Sequence, residues 1–354
     1  MNINEAVKQI KPIDDASLKQ AKKRWLSVAK PLYSLGTLED VIIQMAGIKG
    51  TANFTLDKKG LVIMCGDNGV VAEGVTQTGQ EVTAIVADNF TKGDASVCIM
   101  SQIAGADVFP VDIGMASDVP TVTGKEQKIA YGTRNFAKEP AMSREETLDA
   151  IQVGINMVAK LKEQGYQILA TGEMGIGNTT TSSAVASVLL GKDVEAMTGK
   201  GAGLDDTGLL TKVKVIKDAI SKHQPDKDDV IDVLSKVGGL DIAGLTGVFL
   251  GGAINNIPIV IDGFISSVAA LCAVRICPNA KEYMLPSHCS NEPGGQILLN
   301  ALGFSPFITC GMFLGEGSGA VALFPLLDMA LKIYSDMSTF DDIKMEQYED
   351  FSSN

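Results

Sequence analysis

Histidine is nearly missing from this chain: His223 and His288 are the only two in 354 residues, beside one tryptophan and an aromatic share of 5%. Acid and base work therefore falls to carboxylates. No HExxH-type spacing occurs, and no catalytic metal is expected. The six cysteines (Cys65, Cys98, Cys272, Cys277, Cys289, Cys310) form no CxxC pair and sit in apolar surroundings, which reads as reduced thiols in a cytoplasmic protein. Positive charge is short as well. Thirty Lys and Arg against 42 Asp and Glu leave a formal charge of -12, without a basic run, which argues against nucleic acid and anionic membranes as partners. There is no GxxxxGK[ST] loop, and the glycines of 172–177 miss the GxGxxG spacing, so P-loop and dinucleotide-binding classes drop out. The longest apolar stretch, 257–274, is broken by Pro258, Asp262, Gly263, Ser266 and Ser267 and reads as strand, loop and helix rather than a membrane span. The first residues carry neither the basic start nor the apolar stretch of a secretory signal.

What is abundant is small and apolar: 45% hydrophobic residues and 37 glycines suit an α/β enzyme better than a β-sandwich. Residues 13–33 read as a helix, with Leu18, Ala21, Trp25, Val28 and Ala29 at helical spacing and Pro31 ending it. Thr37-Leu-Glu-Asp40 reads as a capping box opening a second. Short apolar runs then alternate with helical patterns: 61–65 then 80–104, 107–113 then 143–164, 168–170 then 206–221 and 227–236, 257–261 then 264–276. That alternation predicts a Rossmann-like α/β domain over 36–325, a mainly parallel sheet flanked by helices. A last helix is expected over 325–337, and segments 1–35 and 326–354 are expected to form a small helical subdomain.

Acidic, glycine-containing loops recur just behind the strand-like runs: Cys65-Gly-Asp-Asn-Gly69, Gly172-Glu-Met-Gly175, Ile261-Asp-Gly-Phe264, and Gly315-Glu-Gly-Ser-Gly319. Ligands of open α/β sheets bind at the carboxyl ends of the strands, so several of these loops should converge on one crevice. Gly172 to Thr181 crowds a carboxylate, three glycines and several hydroxyl or amide side chains ahead of a Ser/Thr-rich segment. It is either a phosphate-binding helix start or a tight turn capped by Asn178 and Thr179. Glu316, between glycines, is a catalytic carboxylate or a helix cap. Asp67 and Glu173 are ligand contacts or partners of their own loop amides. His288 reads as a structural histidine ahead of a ligand contact, and His223 as exposed and inert. The run 259–264 resembles half of the acidic signature of transferases that consume phosphoribosyl pyrophosphate, but lacks its second acid.

Taken together, the chain resembles the nicotinate-nucleotide:dimethylbenzimidazole phosphoribosyltransferase family over almost its whole length. The resemblance rests on Gly66-Asp-Asn-Gly-Val-Val71, Gln80-Glu-Val-Thr83, Gly132-Thr-Arg-Asn135 with Glu139-Pro-Ala-Met142, Gly172 to Thr180, Gly203-Leu-Asp-Asp206, Asp262-Gly-Phe-Ile-Ser266 and Leu314-Gly-Glu-Gly-Ser-Gly319. It implies transfer of phosphoribose from nicotinate mononucleotide to a lower-ligand base for cobalamin-type cofactors, with β-to-α inversion and no cofactor. It further implies Glu316 as general base and Glu173 as the carboxylate beside the sugar. Gly175, Ile176, Gly177, Asn178, Thr179, Lys212 and Ser290 would hold the nucleotide, and Thr76, Gln80 and Leu314 the base. Lys212 also reads as an exposed helix lysine, and Arg134 as a structural ion pair or a ligand contact. Many members have His where Asn68 stands, Arg near Cys289 and His where Gly295 stands, which leaves the acceptor open among benzimidazoles, purines and phenols such as p-cresol. The resemblance also implies a homodimer, or a heterodimer with a homologous chain. In the heterodimer case a noncatalytic subunit is the alternative reading.

Overall fold

A computed structural model gives the fold and describes residues 3–122 and 127–350. Residues 1–2 and 351–354, the outer ends of the expected helical subdomain, lie outside the described residues. Among the described residues the strands are β1 (Lys59–Gly66), β2 (Ala106–Gly114), β3 (Ile168–Met174), β4 (Ile259–Ile261) and β5 (Met284–Pro286). They form one sheet in the order β2-β1-β3-β4-β5. Every neighbouring pair is parallel. In chain order the helices are α1 (Ile3–Ala6), α2 (Asp15–Ser27), α3 (Thr37–Lys49), α4 (Glu81–Lys92), α5 (Ser96–Ala104), α6 (Arg144–Glu163), α7 (Asn178–Leu190) and α8 (Val194–Met197), followed by α9 (Asp206–His223), α10 (Val230–Val237), α11 (Leu240–Asn255), α12 (Phe264–Ile276), α13 (Gly294–Leu302) and α14 (Ser318–Asp336).

β1 is buried from end to end, so its apolar run has no polar alternation. Its residues divide by the two-residue period of a strand. Val62 and Met64 join a core with Ile151 of α6, Val185 of α7, Phe249 of α11 and Val268 of α12. Leu61, Ile63 and Cys65 join a second core with Trp25, Ile42, Ala87, Val97 and Phe324, from α2–α5 and α14. Both faces of the sheet are thus covered, as a parallel sheet requires. The chain runs from β1 to β2 on one side and returns to β3 on the other. The strand order therefore reverses between β1 and β3, where the loops at their carboxyl ends part to leave a crevice.

The parallel α/β architecture agrees with the sequence reading; several boundaries do not. Gly36, not Thr37, precedes α3, and no side chain caps that helix. The expected 80–104 helix is two helices, because Gly93 closes α4 in a left-handed turn at φ +80°. α14 begins at Ser318, seven residues before Pro325, and carries that proline inside. α11 was not anticipated: it is apolar around its whole circumference and buried, so no amphipathic period marks it. The two ends of the chain meet, with the Phe340 amide donating to the Ser27 carbonyl at 3.0 Å and the Trp25 and Tyr334 rings 5.1 Å apart. Among the described residues one helix, Ser318–Asp336, is long and apolar enough to cross a membrane, and 56% of its apolar window is buried inside the protein.

Candidate active site

Two carboxylates enter the crevice from neighbouring elements. Glu173 stands near the end of β3 and is buried, with the Asn178 side-chain amide donating to its Oε2. Glu316 stands in the turn before α14, where three successive residues take positive φ: Gly315 at +84°, Glu316 at +62° and Gly317 at +93°. A residue with a side chain costs about 1–2 kcal/mol in that conformation, so neighbours must hold it there. Gly172 lies under the turn, close enough that a methyl on it would press on the Glu316 carbonyl, 2.8 Å from its carbon. A methyl on Gly315 would stand 2.6 Å from Glu173 Oε1. Only glycine allows the strand and the turn to approach this closely.

The turn is tied down by Asp262, just behind β4. Its Oδ1 accepts from the Gly319 and Ala320 amides at 2.7 and 3.0 Å, and its Oδ2 from Gly317 at 3.2 Å. Glu173, Glu316 and Asp262 line a cavity of about 290 Å³. Val82, Val86, Phe313 and Leu314 make its apolar wall, while His288, Ser290 and Glu292 line it as polar groups. A smaller recess of about 60 Å³ shares Gly175, Ile176, Asn178, Thr179 and Ala202 with the cavity and adds Thr76, Gly177 and Lys200. Here α7 begins, and its N-terminus favours an anion. Lys212, 1% exposed, reaches in from α9 and donates to Thr179 Oγ1 at 2.7 Å and the Gly199 carbonyl at 3.1 Å. Because Thr179 accepts from the ammonium, its hydroxyl hydrogen is left to donate outward.

Burial sets the charge state of this region. It pushes Glu173 well above the ordinary carboxylate range, with the charges of Asp241 and Asp262 adding to the effect and the Asn178 bond opposing it. Glu316 is raised by burial and then by the Asp262 charge, and its Oε2 is buried without a hydrogen-bond partner. Burial lowers Lys212 to about 8, against the pull of Glu292. Carboxyls of raised proton affinity beside a helix N-terminus suit transfer of a phosphorylated group with removal of a proton.

A family model described as phosphoribosyltransferase, DBI_PRT, matches residues 10–345. The chain belongs to this phosphoribosyltransferase family. It is 49% identical over 349 residues to the nicotinate-nucleotide–dimethylbenzimidazole phosphoribosyltransferase of Ruminiclostridium cellulolyticum, with 99% of each chain covered. To the enzyme of the same name from Acetivibrio thermocellus it is 47% identical over 345 residues, with 98% of each covered. Its fold is similar to the crystal structure of CobT from Thermus thermophilus, with TM-score 0.89 and 34% identity over 94% of this chain and all of that one.

Within this phosphoribosyltransferase, Glu173, Gly175, Ile176, Asn178, Thr179, Ser290, Leu314 and Glu316 line the main cavity. Thr76 and Gly177 line the adjoining recess instead. Lys212 is buried behind Thr179 rather than exposed on its helix. Gln80 lines neither space; its amide donates to the Asn68 carbonyl at 3.2 Å. Arg134 pairs with Glu146 at 2.7 Å. Asp67 bonds Thr83 and the Ala116 amide rather than its own loop. His223, expected exposed and inert, is half-buried and bonded to the Phe136 carbonyl at 2.6 Å, because α9 ends against that loop. Asp262 and Glu292 were not among the predicted site residues. The glycine beside Asp262 marked its loop, whereas no local pattern marked Glu292.

Proposed function

We propose that this chain transfers the 5-phosphoribosyl group of nicotinate mononucleotide to a ring nitrogen of 5,6-dimethylbenzimidazole or an analogous lower-ligand base, for cobamide nucleotide-loop assembly. The observation that carries this reading is the pair Glu316 and Glu173 in one cavity, next to the turn Gly175–Thr179 backed by Lys212. The phosphate sits on that turn, where backbone amides give direction and the ammonium gives charge. Ser290 lies toward the nicotinate, and the base lies on the wall made by Leu314, Val82 and Val86.

A nitrogen lone pair of the base attacks C1′ from the face opposite nicotinate, forming the new C–N bond as the old one breaks. The departing electron pair neutralises the pyridinium ring nitrogen, so nicotinate leaves without a proton, and the configuration turns from β to α. The benzimidazolium N–H proton passes to Glu316, a step worth about 10²- to 10⁴-fold. Glu173 stands by the positive charge that develops on the sugar. The test is a magnesium-free assay of the purified chain with the mononucleotide and a panel of benzimidazoles, adenine, phenol and p-cresol, with α-ribotide and nicotinate read by chromatography and mass spectrometry. Product with the parent and at least a hundredfold loss in Glu316→Gln is the expected result, at the lower end of the general-base range. No product with any acceptor would refute the reading.

The same reading includes a twofold dimer. Exposed Ile85, Ile99 and Ile103 on α4 and α5, with Phe313 and Leu314 at the cavity mouth, support it as apolar surface that a second copy would cover. We place the enzyme in the cytoplasm, in keeping with its six free thiols. Catalysis is assigned to 36–325, with the helices of the two ends, α2 and the second half of α14, covering one face of its sheet.

A further inference from the structure

We infer that Asp262 is a positioning residue for Glu316: it anchors the turn that carries Glu316 and stands beside it as a negative charge held by amide hydrogens. The inference rests on the transfer reaction proposed above, in which Glu316 takes the proton.

The anchoring follows from where the turn gets its hydrogen-bond acceptor. A helix start leaves several amides without partners, and a local side chain usually caps them. α14 has no such cap, because Gly317 offers no side chain. Asp262 supplies it from another strand by accepting the Gly317, Gly319 and Ala320 amides. Its own backbone is held in turn. The Asp262 amide donates to Ser266 Oγ at 3.1 Å, and the Asp262 carbonyl accepts from Ser287 Oγ at 3.2 Å. The position of Glu316 relative to β3 is thus referred to β4 through one carboxylate.

The charge follows from the same bonds. Both oxygens of Asp262 accept amide hydrogens, which is the arrangement of an anion at a helix N-terminus. Burial raises its proton affinity above the ordinary carboxylate range, and His288 and the three amides oppose that rise. Facing Asp262 are Glu173 from β3, Glu316 from the turn, and Ser287 and His288 from the segment after β5. The Asp262 charge adds to burial in raising both glutamates. A base held this way keeps a higher proton affinity than burial alone would give it.

The experiment is Asp262→Asn in the full chain, with kcat and KM for nucleotide and acceptor measured from about pH 5 to 9. We expect the acid limb of kcat/KM to move down by about half a unit to one unit and kcat to fall about tenfold. KM for the nucleotide should stay within about threefold. An acid limb within about 0.2 units of the parent, whatever the rate, would overturn the inference. Asp262→Glu is the second variant and covers a failure of Asp262→Asn to fold: it keeps the charge and disturbs the three-amide geometry. There the acid limb should hold while kcat drops, and a limb that falls as well would count against the inference. Glu316→Gln runs beside them. Full activity in that variant would remove the underlying transfer reading rather than the role of Asp262.

Discussion

Gly172→Ala tests the link between the β3 backbone and the turn that carries Glu316, the proposed base. The added methyl would press on the Glu316 carbonyl oxygen and stand 2.8 Å from the carbonyl carbon and 3.0 Å from the Gly317 nitrogen. Carbon–carbon contact is optimal at about 3.5–4.0 Å, so the turn must retreat by about 1 Å. It has little freedom to do so. Asp262 holds the Gly317 amide and two amides of the first turn of α14, and Glu316 already occupies the left-handed region. Overpacking of this kind costs about 1–3 kcal/mol of folding stability. A displacement of about 1 Å at a reacting group costs about a hundredfold in rate. Thermal melts should therefore show a folded protein of lower Tm, and steady-state assays should show kcat down about a hundredfold with KM for the nucleotide changed far less. A kcat within about threefold of the parent would refute the claim that this contact sets the position of Glu316.

Lys212→Met should raise KM for the nucleotide at least tenfold, in the range of a lost charged hydrogen bond. In the parent, KM should climb as pH passes about 8, where the buried ammonium loses its proton, and that climb should be absent from the variant. Asp241, fully buried, is raised from 3.8 to about 7 chiefly by burial. A carboxyl raised on folding binds more protons in the folded than the unfolded state, so its ionisation lowers stability as pH rises from about 4 to 7, and the penalty is complete above that. At about 1.4 kcal/mol per unit, a rise of this size is of the order of 4 kcal/mol. Asp241→Asn should then raise Tm at pH 8 and gain progressively less toward pH 5; an equal shift at both would refute the assignment. Ile103→Glu, at an exposed apolar position on α5, should shift the proposed dimer toward monomer in light scattering.

Much of this protein is legible along the chain, because its patterns are local. A parallel sheet with both faces covered writes continuous apolar runs, and the helices between them write a 3.6-residue period; hence β1, β2, α6, α9 and α12 fall where the text places them. Glycine next to acid at the end of a strand marks a loop that meets a ligand, and this placed Glu173, the Gly175–Thr179 turn and Glu316 at one crevice. What remained illegible depends on long-range packing. Lys212 reads as a surface residue along its own helix and becomes buried only because α9 docks behind Thr179. Asp262 caps a helix more than fifty residues downstream, so no capping pattern near α14 announces it. Glu292 meets the cavity because the segment after β5 folds across the end of the sheet. The sequence alone determined the class of fold, the reliance on carboxylates and the family, since each is written in composition or contiguous motifs. The tertiary structure alone decided which acids share a cavity, how their charges raise one another, and which carboxylate holds the turn of Glu316, because burial and electrostatic coupling depend on distances that only the packed chain defines.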